Sequence, residues 1–174
     1  MPRVRSLLSV HFYINDTLYV REVTTATQIY AQRAGIQPVA VGDLRSVLDV
    51  EPMKILALCD STEAIANLLS NLRQRYTPAE LYLTTSVATF FEAANPSVNK
   101  GAALRYLAED VLGLQPANVM AIGDNFNDLE MISYAGIGVA MGNAPAQVKA
   151  AAKWVAPSVE QDGVAAAIEE FVLP

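Results

Sequence analysis

Asp124, Asn127 and Asp128 stand close together in "GDNFND", directly after the apolar run "VMAI". The run reads as a buried strand, and in open parallel sheets ligands bind at the carboxyl ends of strands. A carboxylate at that position can hold a hard cation through oxygen. Mg²⁺ suits it best, because that ion takes only one or two protein carboxylates and keeps its waters and substrate phosphates. Asn127 and Asp128 fall on the first turn of the next helix, where the dipole and free N–H groups favour an anion such as phosphate. The Asn127 amide can donate to a phosphate oxygen. Asp128 can accept from neighbouring N–H groups or pair with a cation. Gly123 lets the backbone turn sharply or approach a ligand closely. The plainer reading is that both aspartates only cap a helix.

Lys100, in "NPSVNKGAAL", opens another predicted helix. A lysine in a first helical turn is at the wrong end for the dipole, so it points to an anionic partner, either a phosphoryl group or a nearby carboxylate. A calcium loop beginning at Asp124 fails, because Phe126 takes its third position and Leu129 the place that needs glycine. "GIGVAMG", residues 136–142, has its third glycine one residue too late for a dinucleotide loop, and its glycines read as turns flanking a strand. A nucleotide-binding redox domain therefore rests on very little. His11 is the only histidine and Cys59 the only cysteine. Both read as packing residues, and one cysteine excludes an internal disulfide or a cysteine-based zinc site.

Two halves have to position these groups. In the first, "HFYINDTLYV" reads as a strand or as two strands around Asn15-Asp16. Residues 24–35 read as a helix with Ile29 and Tyr30 inward and Gly35 as its stop. Residues 53–59 form a buried strand. Residues 61–76 form an amphipathic helix with Ile65, Leu68, Leu69 and Leu72 at helical spacing, capped by Ser61 or Asp60. "ELYLTTS" and "TFFEAA" then read as an antiparallel pair. From Asn99 onward strands alternate with short helices: a helix to Gly113, a strand to Asp124, a helix to Gly136, then "IGVAM", "APAQVKAAA", "KWVAP" and "GVAAAIEEFVL". That alternation predicts parallel βαβ units. The boundary falls in "AANPSVN", residues 93–99, giving an α+β domain over 1–96 and an α/β domain over 97–174.

The 174 residues are 52% hydrophobic and 17% charged, with a net charge of −6. Such a chain can bury a core, and its acidity disfavours nucleic acid or an anionic membrane as partner. No stretch approaches the ~20 apolar residues of a membrane span, and the start carries no signal-peptide pattern. The expected location is the cytoplasm, and the expected partner a small phosphorylated metabolite.

Taken together, "VNKGAAL", "VMAIGDNFNDLEMI", "AGIGVAMGNA", "VKAAAKWV" and "DGVAAAIEEF" resemble, in order, segments of the haloacid dehalogenase superfamily, specifically the Cof-type phosphatases with a large inserted cap. "KILALCD" and "LYLTTSVATFFEAANPSVNKG" resemble the end of that cap running into the core. The resemblance implies a Rossmann-like core fragment of parallel βαβ units plus an α+β cap, with Mg²⁺ as cofactor. It implies that Lys100 neutralises the nucleophile and phosphoryl charge, Asp124 ligates Mg²⁺, Asn127 contacts the transferring phosphoryl group, and Asp128 orients Lys100 or the metal shell. Asn143, in "MGNA", is a weaker match, on a loop near the site. The cap would select the leaving group.

Family members begin with a strand ending in Asp-x-Asp, whose first aspartate attacks phosphorus and whose second is the general acid–base. The eight aspartates here are Asp16, Asp43, Asp49, Asp60, Asp110, Asp124, Asp128 and Asp162, and no two are separated by a single residue. "CDST", residues 59–62, lacks the second aspartate. The expectation is a truncated or split Mg²⁺-dependent phosphohydrolase of a small phosphate ester such as a sugar phosphate. The competing expectation is a non-catalytic metal- or phosphate-binding remnant. Either would expose a sheet edge and apolar helix faces, so self-association or a covering partner chain is expected.

Overall fold

The computed structural model describes residues 8–173 and divides into two compact units after Pro96. The first unit is built on a six-stranded mixed sheet of order β3-β2-β1-β4-β6-β5. Its strands are β1 (Ser9–Ile14), β2 (Thr17–Val20), β3 (Pro38–Ala40), β4 (Lys54–Leu58), β5 (Tyr82–Val87) and β6 (Phe90–Ala94). Asn15 and Asp16, at φ 48° and 59°, make the two-residue turn joining β1 to β2, the geometry that matches strand twist and that Asn and Asp tolerate.

Two helices complete this unit: α1 (Thr25–Ala34), between β2 and β3, and α2 (Thr62–Arg75), between β4 and β5. Thr24 and Ser61 cap them through their side-chain oxygens, and Gly35 ends α1 at φ 66°. β3 lies beyond β2 and β5 beyond β6, at opposite edges. Right-handed crossovers heading to opposite edges put their helices on opposite faces. The packing agrees. Ile65 of α2 joins Ala57, Cys59, Leu83, Phe91 and Ala93 in one cluster. His11, which pairs with Leu56 and so faces the other way, reaches α1.

On that face the expectation for α1 fails in one respect. Ile29 is 48% exposed, and the buried positions are Thr27 and Ala31. The reason is the partner surface: Thr27 Oγ1 meets His11 Nε2 at 2.9 Å and Ser9 Oγ at 3.1 Å. A polar strand face thus draws in a polar helix residue and turns the isoleucine outward.

The second unit carries a parallel sheet of order β7-β8-β9. These strands are β7 (Met120–Gly123), β8 (Ile137–Ala140) and β9 (Trp154–Val155). Helices α3 (Lys100–Arg105), α4 (Leu129–Tyr134), α5 (Ala146–Ala151) and α6 (Gly163–Phe171) accompany them. The helix expected to run on to Gly113 instead widens after Arg105 into a π-turn, Tyr106–Val111, with Leu112 N–H bonded to Leu107 O at 3.0 Å. Gly138 lies inside β8 rather than in a flanking turn. A Cβ there would sit 2.1 Å from the Ile132 carbonyl oxygen, so glycine is what lets α4 lie on the strand. Val139, Val148 and Ala167 are fully buried around this sheet. No described helix is long and apolar enough to cross a membrane.

His11 is fully buried, and among the described residues its Nδ1 has no hydrogen-bond partner. Burial pushes its pKa from 6.5 down to about 4. An unfolded chain would therefore take up this proton first as pH falls. The contribution is complete above about pH 6.5 and is lost as the pH drops toward 4, a change of about 3 kcal/mol. Hydrogen exchange of the β1 amides at pH 7 and pH 4.5 is expected to show that loss in the parent chain and a flatter response in His11→Gln. Equal pH slopes in the two proteins would refute it.

Candidate active site

The site is built around Asp128, whose side chain is 4% exposed. Lys100 stands at the first position of α3, where Asn99 caps the helix by accepting from the Ala102 amide at 2.8 Å. Its ammonium, on a side chain 51% exposed, lies 2.5 Å from Asp128 Oδ1. The other carboxylate oxygen, Oδ2, accepts from the backbone N–H of Asp124 at 2.9 Å and of Asn125 at 3.0 Å. One shielded carboxylate thus ties α3 to the loop that follows β7.

That loop enters α4 through a short 3₁₀ turn, Phe126–Asp128, capped by Asn125, whose Oδ1 accepts from the Phe126 amide at 2.8 Å. The Asp128 contact to the Asn125 N–H completes a capping box. Helix capping and the lysine pair therefore use the same carboxylate, so the two readings of Asp128 are compatible. Gly123 does not make a left-handed turn, and it lines the same cavity as Lys100 and Asp124. A Cβ there would fall 2.4 Å from Asp128 Cβ and 2.8 Å from its Cγ. Its bare backbone is the floor on which the Asp128 side chain rests.

Asp124 is the opposite kind of aspartate. It sits just past the carboxyl end of β7 and is exposed. Among the described residues no hydrogen bond or ion pair engages its carboxylate. Asn143 accepts the Val159 N–H through Oδ1 at 3.2 Å, joining the loop after β8 to the turn before α6. Lys100, Asp124, Asp128 and Asn143 line a cavity of about 460 Å³. Asn127, half-buried on the 3₁₀ turn, is not among the lining residues. Ile122, Met131, Met141, Val159 and Val164 give the cavity an apolar wall. Ile122, Met131, Met141 and Val164 fall within segments that carry the resemblance, yet nothing in their type or spacing marks them as a wall, and it is the strand order that collects them.

Among the described residues no three His, Cys, Asp or Glu side chains gather as a metal cluster. The donor set fits a hard cation that keeps most of its own waters, for which one free carboxylate at a strand end suffices.

The clamp has a direct test. In Asp128→Asn one oxygen becomes an NH₂ donor, which must face either the Lys100 ammonium or the two backbone N–H groups. Both are donors, so one side is left unsatisfied at a cost of about 1–3 kcal/mol. Urea unfolding is expected to show that loss, with faster amide exchange at Asp124 and Asn125 in one arrangement or a released Lys100 in the other. Unchanged stability with both features intact would contradict the clamp.

Relatives of known class share this architecture. Residues 4–168 match a family model described as haloacid dehalogenase-like hydrolase. A Haemophilus influenzae protein is 36% identical over 164 residues, covering 94% of this chain and 60% of the relative. A phosphoglycolate phosphatase of Methanothermobacter thermautotrophicus is 32% identical over 161 residues, covering 92% of this chain and 68% of the relative. Among solved structures, a haloacid dehalogenase-like hydrolase from Bacteroides thetaiotaomicron superposes with a TM-score of 0.72 at 30% identity, covering 94% of this chain and 60% of that one. The chain thus spans about 60% of the length of the first of these relatives. A match along nearly the whole chain, with the fold to go with it, means that the chain belongs to the haloacid dehalogenase-like hydrolases, of the Cof type.

Proposed function

We propose that this chain carries the metal- and phosphoryl-binding part of a Mg²⁺-dependent phosphohydrolase acting on a small phosphate ester such as a sugar phosphate. The observation that carries this reading is the division of labour in the second unit: a free Asp124 carboxylate lining the same cavity as a Lys100 ammonium already held by buried Asp128. Phosphoryl transfer relies mainly on positioning and charge stabilisation, and a fixed cation beside a metal-ligating carboxylate supplies both. In this reading Lys100 binds phosphoryl oxygens, Asp128 orients Lys100, and Asn127 and Asn143 donate amide hydrogens to the phosphate. Asp124 would hold Mg²⁺, which when bound neutralises phosphoryl charge. Residues 1–96 would serve as a cap that selects the leaving group, and 97–174 as part of the catalytic core. The phosphatase name of the archaeal relative supports the reaction class.

The 174 residues hold no Asp-x-Asp pair. In this reading the nucleophile of a covalent mechanism would come from outside them, from the rest of a larger chain or from the other part of a split enzyme. The same feature supports the second reading, a binding module without turnover. In both cases a partner chain or a second copy would cover apolar surface of the second unit, where Tyr106, Val111, Leu112 and Val172 are more than half exposed.

Phosphate release from a panel of sugar phosphates and an aryl phosphate, with Mg²⁺, is expected to be no greater for this chain than for Asp124→Asn. In parallel, millimolar Mg²⁺ is expected to shift the Asp124 amide resonance in the parent and not in the variant. Asp124-dependent turnover by the chain alone would overturn the need for an outside nucleophile. Absence of any Mg²⁺ response would overturn the metal assignment. Sedimentation at a single monomer mass across a concentration series would count against self-association.

A further inference from the structure

Alternate residues of the segment running into α4 each rest on a glycine from a different element. Gly123 of β7 underlies Asp128, Gly101 of α3 underlies Glu130, and Gly138 of β8 underlies Ile132. Two of these contacts are readily placed: Gly123 seats the carboxylate itself and Gly138 seats the helix on the sheet. Gly101 does neither, yet it adjoins Lys100 and is buried. A Cβ on Gly101 would lie 2.5 Å from Glu130 Cβ, 2.7 Å from its carbonyl carbon and 2.9 Å from its carbonyl oxygen. Two of those three atoms are backbone and cannot swing aside.

We propose that Gly101 is a positioning residue for Lys100: by letting α3 lie directly against the backbone of α4, it fixes where the Lys100 ammonium stands. The geometry is short-ranged. Lys100 and Asp128 meet at 2.5 Å, and a retreat of α3 by about 1 Å takes them out of the range of a charge-assisted hydrogen bond. A lysine stem is flexible enough to reach back, but then it no longer holds its charge in one place. Placement on that scale is what a charge-stabilising group needs. The phosphate part of the test rests on the proposed function; the placement of Lys100 does not.

The test compares Gly101→Ala with Gly113→Ala in the full 174-residue chain. Gly113 has φ +64° and open space around it, so alanine there adds backbone strain without touching α4. The first readout is the Lys100 ammonium resonance, assigned by its loss in Lys100→Arg and observable when a stable hydrogen bond slows proton exchange. The second is inorganic phosphate affinity in the presence of Mg²⁺. Gly101→Ala is expected to lose the protected ammonium signal and weaken phosphate binding about tenfold. Gly113→Ala is expected to melt earlier with both readouts kept. Should Gly101→Ala fail to fold, Gly101→Ala with Glu130→Gly removes the nearest overlap but not the two backbone ones, and the ammonium signal is expected to stay lost. A Gly101→Ala chain, or that pair, with the parent's ammonium signal overturns the positioning role. A parent chain that binds no phosphate overturns the proposed function, while the ammonium signal still decides the role of Gly101.

Discussion

A carboxylate removed from water must be surrounded by donors, and Asp128 imposes that requirement on the second unit. Its two oxygens take one ammonium and two backbone amides. Each donor comes with a structural condition. The amides of Asp124 and Asn125 converge on one oxygen only if the chain leaves β7 in a tight 3₁₀ turn. The ammonium arrives only if α3 starts beside that turn. The carboxyl group fits between them only if nothing projects from Gly123. Leaving any of the three unmade would strand a buried polar group at a cost comparable to a whole hydrogen bond. The local fold of the site is in this sense the solvation shell of one side chain.

The parallel sheet supplies the frame for that shell. A β-α-β crossover returns each strand in the same direction, so loops after β7 and β8 emerge at one end. Asp124 and Asn143, far apart along the chain, are brought to one cavity for that reason alone. Close helix packing then turns a common edge into a defined site. Without Cβ atoms at Gly101 and Gly138, α4 lies against α3 on one side and β8 on the other. Its first residues inherit that fixed position.

How far this was legible in the sequence depends on the range of each interaction. The Ser61 cap, the Gly35 stop, the Asn15-Asp16 turn and the strand–helix alternation are local, and residue types declare them. Lys100 was recognisable as a cation wanting an anion because its place on the helix contradicts the dipole. Its distance from Asp128, 28 positions along the chain, was not visible from spacing. Ile29 was misread because helical periodicity reports which residues share a face, not which face the neighbour prefers. A neighbouring strand presenting Ser9 and His11 selects Thr27. Gly138 was assigned to a turn, and Gly123 to a sharp turn or a close ligand approach, because glycine more often marks backbone freedom. Here it marks the absence of a side chain, a constraint written in the other element.

Asp124 and Asp128 have the same chemistry and opposite solvation. Four positions apart, one faces water with its lone pairs uncommitted, and the other has lost water and committed both oxygens to the protein. The fold separates them through β7: the strand ends at Gly123, the next side chain projects past the sheet edge, and the turn returns the second carboxylate over the strand end. A free carboxylate can exchange water for a cation. A committed one cannot do so without stranding an ammonium and two amides. Exchange and support are thus assigned to different aspartates by burial alone. A carboxylate that attacks phosphorus would need a third condition, exposure to substrate on a fixed line, and no aspartate pair in these 174 residues carries the spacing associated with it.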